Sequence, residues 1–342
     1  MKRAALILVV VLGAVLILSR TLYLQTKLTP SPSGSPMIPL SIAAMREKAY
    51  PGSAFTVVTT LPDTVEYHQW VVSYVSDGLK IQGLLTEPKG DKPAGGWPAI
   101  LFDHGYVDPR VYTPTSRYVE FVADLTRAGY VVFKPDYRGN GKSEGVPDSP
   151  YFSPNYTIDN LNALAALKQD QRVDPARIGI WGHSMGGNVA LRTLTSHPTD
   201  IRAAVIWAGV VGDYNQIINH WQNQPDITYQ PSAYEMAERY LGKDQLVAAY
   251  GEPAADPGFW NTIDPTKHLG EIRVPVELHV SEHDNEVPEG WSVGLYQQLV
   301  AAGKTANLYA YPGTDHNILP PNYETAMART IAFFDKYLKA TH

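Results

Sequence analysis

Short apolar runs and longer amphipathic stretches alternate along most of this chain. Residues 70–75 (Trp-Val-Val-Ser-Tyr-Val) read as a strand, Asp77-Gly78 carries the signature of a two-residue hairpin turn, and 79–86 reads as the partner strand. Beyond a Gly/Pro-rich loop at 90–98, strands and helices take turns. Strands are predicted over 99–102, 130–133, 178–181, 203–207, 274–280 and 307–311. Helices are predicted over 117–127, 158–169, 188–196, 290–302 and 323–338. A hairpin followed by such alternation predicts a mostly parallel central sheet with helices on both faces, its active site at the carboxyl ends of the strands.

One stretch breaks the rhythm. Residues 211–268 hold no clear strand, one predicted helix near 235–242, several prolines, and the aromatic residues Trp221, Tyr229, Tyr234, Tyr240, Tyr250 and Trp260. Long insertions without regular structure in a compact domain are usually functional, so this one reads as a lid over a pocket. The alternative is a packed elaboration of the core.

The N-terminus has a different pattern. Lys2 and Arg3 precede an unbroken apolar run over 4–18, and Arg20 follows. A positive start and an apolar centre are the layout of an export signal. No small-x-small cleavage site follows, and the run approaches membrane-spanning length if it continues to Leu24. Residues 1–24 are therefore expected to form an uncleaved signal anchor, with a cleaved signal peptide as the alternative, and to place the rest outside the cytoplasm. The segment Thr29-Pro30-Ser31-Pro32-Ser33-Gly34-Ser35-Pro36 is too rich in proline and serine to bury a core. Residues 25–50 thus read as linker and lead-in, and 51–342 as one catalytic domain carrying the lid at about 211–268.

Composition narrows the function classes. The chain of 342 residues is 44% apolar and 18% charged, as an ordinary globular protein is. A net charge of -6 argues against nucleic acid as a partner, because such binding needs a basic face. The absence of cysteine excludes disulfides, thiolate catalysis and cysteine-ligated zinc. With no H-E-x-x-H and no clustered ligands, the reading calls for no metal and no cofactor.

The chemistry centres on Gly182-His183-Ser184-Met185-Gly186-Gly187. This G-x-S-x-G lies between a predicted strand and a predicted helix, the setting of a nucleophile elbow and of the α/β-hydrolase fold. A sharp strand-to-helix turn exposes the serine hydroxyl, and glycines flank it because side chains would collide where the backbone doubles back. The helix N-terminus beneath favours developing negative charge. Serine needs a base, and the base an orienting acid. His316 is the expected base, since it follows the last strand and precedes the last helix, in a loop that opens on the edge where Ser184 sits. His183 reads as a packing residue within the elbow. The acid lies in Glu282-His283-Asp284-Asn285-Glu286, where three carboxylates compete and the residues alone leave the choice open. Attack on a carbonyl creates an oxyanion, which needs fixed donors. In this fold these are the backbone N–H after the nucleophile, here Met185, and one from the loop after an early strand, here Tyr106 in Asp103-His104-Gly105-Tyr106. The Tyr106 side chain would then lie beside the bound acyl group and bind substrate.

Four stretches together resemble the catalytic domain of the prolyl oligopeptidase family and, more broadly, dienelactone hydrolases and acyl esterases. They are the His104-Gly105 turn, Pro135-Asp136-Tyr137-Arg138-Gly139-Asn140-Gly141-Lys142-Ser143, the 182–187 elbow, and Asp284-x-x-Val287-Pro288 with His316. The resemblance covers about 71–338. It implies Asp284 as the acid, completing a Ser184–Asp284–His316 triad, and a structural role for Arg138. Large oligopeptidases of this family carry an N-terminal β-propeller, and about 70 residues before the sheet are too few for one. The expected activity is therefore serine hydrolysis by an acyl-enzyme route, on small peptides or acyl amides. The alternative is a carboxylesterase acting on aryl, feruloyl or short acyl esters. A non-catalytic binding protein of the same fold is a third reading, and the complete catalytic set argues against it.

Overall fold

A computed structural model describes residues 38–339. The expected signal anchor at 1–24 and the Pro/Ser-rich segment lie outside the described residues. Among the described residues, no helix is long and apolar enough to cross a membrane.

The described chain forms a nine-stranded sheet in the order β1-β2-β3-β5-β4-β6-β7-β8-β9. The antiparallel end comprises β1 (Thr56–Thr60), β2 (Tyr67–Ser76) and β3 (Leu79–Pro88). Asp77 and Gly78 close the β2–β3 hairpin with φ of 50° and 81°, the left-handed pair that a tight hairpin requires. β3 runs antiparallel to β5 (Val131–Pro135). From β5 onward every pairing is parallel, through β4 (Trp97–Asp103), β6 (Val173–His183), β7 (Ala203–Trp207), β8 (Val276–Ser281) and β9 (Ala306–Tyr311). This is the α/β-hydrolase fold.

The pleat sorts the core into two layers. In β4, Ala99 and Leu101 face one cluster while Ile100 and Phe102 face the other. In β6, Ile178 and Ile180 oppose Trp181 in the same way. On the first face lie α1 (Ile42–Glu47), α3 (Asn155–Lys168), α4 (Met185–Ser196) and α8 (Glu289–Ala301); on the second lie α2 (Val119–Arg127) and α9 (Tyr323–Phe334). Buried on both sides, the central strands β4 and β7 read as nearly continuous apolar runs.

Several elements differ from the sequence reading. Residues 38–50, read as lead-in, belong to the packed domain: Ile38, Leu40, Ile42 and Met45 are buried, and Ser41 caps α1 by accepting the Ala44 N–H. β1 carries no apolar periodicity, because all five of its residues are exposed. α4 begins at Met185, directly after the serine, rather than at 188. The insert holds no strand, as expected, but three α-helices rather than one, α5 (Ala233–Arg239), α6 (Lys243–Tyr250) and α7 (Pro257–Ile263), with a π-helical turn at Gln216–His220 and a 3-10 turn at Pro265–Lys267. Its two parts behave differently. Leu246, Trp260 and Ile263 from α6 and α7 are buried in the first core cluster, as is Trp221, whereas Tyr229, Glu235, Glu238 and Arg239 line a cavity at the carboxyl ends of the strands.

Candidate active site

β6 ends at His183, and the chain turns into α4 through Ser184, whose φ of 55° and ψ of -120° lie outside the regions comfortable for a residue with a side chain. Hydrogen bonds hold this geometry. The Ser184 N–H donates to Trp207 O at 3.0 Å, and its carbonyl accepts from Gly187 and Val210 at 2.9 Å each. Gly186 is required by close approach, since a Cβ there would sit 2.0 Å from Asp103 O. The turn thus presses α4 against the end of β4 and leaves the serine side chain at the mouth of the sheet.

The loops after β8 and β9 bring Asp284 and His316 together. His316 Nδ1 lies 2.8 Å and 3.1 Å from the two carboxylate oxygens of Asp284. Asp284 is fully buried, and its Oδ1 accepts the N–H groups of Glu286 and Val287 at 2.9 Å and 3.0 Å, which fixes the carboxylate. Burial alone would lower the pKa of His316. The charge and hydrogen bond of Asp284, with Glu286 and Asp315, outweigh burial and raise it above the ordinary histidine value. With Nδ1 committed to Asp284, Nε2 is the remaining ring nitrogen; it is buried and without a hydrogen-bond partner among the described residues. Ser184 and His316 line one cavity of about 660 Å³. Of the competing carboxylates, Glu282 is exposed and Glu286 half-buried in the cavity wall, and neither is hydrogen-bonded to His316.

The loop after β4 contributes Gly105 and Tyr106. His104 is buried with its pKa lowered to about 3, chiefly by desolvation, so its ring is neutral near neutrality. Its Nδ1–H donates to Gly105 O at 2.7 Å. In a trans peptide the carbonyl and the following N–H point in opposite directions, so this bond turns the Tyr106 N–H away from His104. Tyr106 and Met185 both line the cavity with Ser184. Met185 is the first residue of α4, where the N–H has no intrahelical partner.

The near part of the insert forms the opposite wall, with Trp221, Tyr229, Glu235, Glu238 and Arg239. It is tied to the loop after β8: Trp221 Nε1–H donates to Glu286 O at 2.7 Å, and the Tyr229 N–H to Asn285 O at 3.0 Å. It is tied to the loop after β4 as well, where Tyr106 Oη–H donates to Glu238 Oε2 at 3.2 Å and the Arg110 guanidinium stacks 3.9 Å from the centre of the Tyr234 ring. Inside the insert, Arg239 pairs with Glu235 at 2.7 Å and lies 4.0 Å from the Trp221 ring centre. None of these partners follows from a motif. Arg138 makes a buried ion pair with Asp159 at 2.7 Å and does not line the cavity. Among the described residues, no group of three or more His, Asp or Glu side chains could hold a metal ion.

Residues 116–341 match the prolyl oligopeptidase family. The uncharacterized peptidase YtmA of Bacillus subtilis is 26% identical over 262 residues, covering 77% of this chain and 91% of that protein. The acylamino-acid-releasing enzyme of Sus scrofa is 19% identical over 288 residues, covering 83% of this chain and 37% of the enzyme. The chain thus spans nearly all of the first relative and under two-fifths of the second. Among solved structures, the acetyl xylan esterase from Paenibacillus sp. R4 has a TM-score of 0.61 and 19% identity, covering 87% of this chain and 92% of the esterase. The acylaminoacyl peptidase of Pyrococcus horikoshii has a TM-score of 0.61 and 20% identity, covering 81% of this chain and 43% of the peptidase.

Proposed function

We propose a role for each residue of the site from the premise that this chain belongs to the prolyl oligopeptidase family and is a serine hydrolase. Ser184 Oγ attacks the substrate carbonyl while His316 Nε2 takes its proton. Asp284 holds the imidazole in the tautomer with Nδ1–H and stabilises the imidazolium. The Tyr106 and Met185 N–H groups receive the oxyanion. The tetrahedral species collapses as His316 returns its proton to the leaving group, leaving an acyl-Ser184 ester. Water, deprotonated by His316, then hydrolyses that ester and restores the serine. The observation that carries this reading is the His316–Asp284 pair, with Nε2 unpartnered in the cavity that Ser184 lines.

We assign small peptides or acyl amides as the substrate class, on the strength of the family and of a peptidase relative whose length this chain nearly spans. Carboxylester hydrolysis is the second reading. It is favoured by the structural likeness to an acetyl xylan esterase, of which the chain covers 92%. We place the domain outside the cytoplasm, carried by residues 1–24, a reading supported by the basic start and the apolar run over 4–18. One experiment addresses both points. Cells expressing the full chain, or its Ser184→Ala variant, are separated into membrane, soluble and extracellular fractions. Each fraction is assayed on short-chain p-nitrophenyl esters and on aminoacyl and prolyl p-nitroanilides. Anilide turnover comparable to ester turnover supports the peptidase reading, and ester turnover in large excess supports the esterase. Activity that survives Ser184→Ala overturns the mechanism, and activity confined to the cytoplasm overturns the placement.

A further inference from the structure

The oxyanion loop follows β4 and the histidine loop follows β9, four places apart in the sheet. A reaction that needs both at one carbonyl requires them to keep register. No backbone hydrogen bond joins the two loops among the described residues. A chain of side chains does. The Gly105 N–H donates to Tyr118 Oη at 2.8 Å. Tyr118 Oη lies 2.8 Å from His183 Nδ1, and His183 Nε2 lies 3.1 Å from the carbonyl oxygen of His316.

Only one arrangement of protons satisfies all three bonds with a neutral ring. The His316 carbonyl can only accept, so His183 carries its proton on Nε2. Its Nδ1 is then an acceptor and takes the tyrosine hydroxyl proton, and that hydroxyl accepts from Gly105. His183 is 2% exposed, and burial together with the neighbouring His316 holds its pKa well below the ordinary value, so the ring is neutral.

The surroundings are built to put Tyr118 in this place. Arg117 and Tyr118 both have φ of 57°, a left-handed pair with no glycine to ease it. The fully buried Lys134 stabilises that turn by donating to Ser116 O and Arg117 O at 3.1 Å and 3.2 Å. The Tyr118 ring packs edge-on against Phe102 and Phe121, each with ring centres 5.6 Å apart. Gly105 leaves room for the hydroxyl, since a Cβ there would lie 2.5 Å from Tyr118 Oη. Gly105 is thereby held at both ends, its N–H by Tyr118 and its carbonyl by His104, and the next N–H belongs to Tyr106.

We infer that Tyr118 and His183 are positioning residues that lock the oxyanion loop and the histidine loop to each other, so that the Tyr106 N–H and the His316 imidazole meet the same substrate carbonyl. This rests on the roles proposed above for Tyr106 and His316. Tyr118→Phe keeps the packed ring and removes only the hydroxyl. The test compares the full-length wild type and Tyr118→Phe on an oxygen ester and on the matching thiono ester, whose C=S is a poor acceptor for oxyanion donors. For the oxygen ester, kcat is expected to fall about tenfold with KM little changed, as a small displacement of a catalytic group does. The thiono ester should fall less, so the oxygen-to-thiono rate ratio collapses. His183→Gln, which keeps a donor towards His316 O but separates it from Tyr118, should lower the same ratio, and it carries the test if Tyr118→Phe does not fold. An unchanged ratio overturns the inference, whether the rates hold or fall together. If Ser184→Ala is inactive while the ratio is unmoved, this inference alone falls. If Ser184→Ala remains active, the mechanism beneath it falls too.

Discussion

The elbow at 182–187 and the insert at 211–268 face the same cavity and are placed by different means. At the elbow, backbone does the placing. A parallel strand ends, a helix begins after one intervening residue, and that residue, Ser184, is held in a strained conformation by three main-chain hydrogen bonds. In the insert, side chains do most of the placing, beside two main-chain bonds from Thr228 and Tyr229 to Asn285 O. Trp221, Tyr106 with Glu238, and Arg110 on Tyr234 fasten it to two loops that also carry the proposed catalytic groups. Backbone placement tolerates little change, because a shifted elbow loses the sheet pairing as well. Side-chain placement can be rewritten residue by residue. The division suits an enzyme whose chemistry stays constant while its substrate varies, and it predicts effects of very different size for substitutions in the two regions.

The largest effect is expected where the sheet-borne apparatus loses its acid. Asp284→Asn preserves shape and the hydrogen bonds from Glu286 and Val287, but presents an amide to His316 and favours the wrong imidazole tautomer. kcat should fall by about 10⁴-fold, with KM changed far less. Steady-state kinetics on a p-nitrophenyl ester read this directly. A loss under tenfold would mean that Asp284 does not orient the base.

The same contrast explains what could be read before the fold was known. The elbow was legible because its glycines, serine and flanking periodicities lie within one local stretch, and the central strands β4 and β7 because burial on both faces makes them mostly apolar. The proposed acid was harder. Glu282, Asp284 and Glu286 share one loop, and only its three-dimensional path shows that Asp284 alone is fully buried against His316. β1 was invisible because Val57, Val58 and three threonines are all exposed, which leaves no alternation to detect. α1 has six residues and follows a Pro/Ser-rich segment, and its burial arises from contact with the distant helices α4 and α7. Tyr118 gave no signal, since nothing in Arg117-Tyr118 announces two left-handed residues in succession. His183 read as packing; its two hydrogen bonds depend on partners 65 and 133 residues away.

A middle-sized effect should come from the fastening between the insert and the loop after β4, which carries a proposed oxyanion donor. Glu238→Gln weakens the acceptor of the Tyr106 hydroxyl while leaving the backbone of that loop unchanged. A half-exposed hydrogen bond to a charged group contributes about 1 kcal/mol, which corresponds to a few-fold change in a rate ratio. The ratio of kcat/KM for a bulky acyl ester over a short one should rise about two- to fivefold, because the Tyr106 ring is freed to move aside. A ratio that stays constant would mean that the insert does not shape the acyl site through Tyr106.

The smallest effect is a shift of pH dependence, and it tests whether the insert reaches the base itself. The Glu286 carbonyl accepts the Trp221 indole N–H, so the insert helps to set where Glu286 stands. Its side chain lines the cavity and is one of the charges that raise the pKa of His316. The base must be neutral to take the serine proton, so kcat/KM falls as pH drops through that pKa. Glu286→Gln removes a negative neighbour, makes the imidazolium less favourable, and should move the acid limb to lower pH. Asp315→Asn should act in the same direction but more weakly, since Asp315 is exposed and its charge is screened by water. pH–rate profiles of kcat/KM for the two variants against wild type decide the matter. An acid limb that moves up, or that responds more to Asp315 than to Glu286, would show that the insert leaves the base untouched and that the two regions meet only at the substrate.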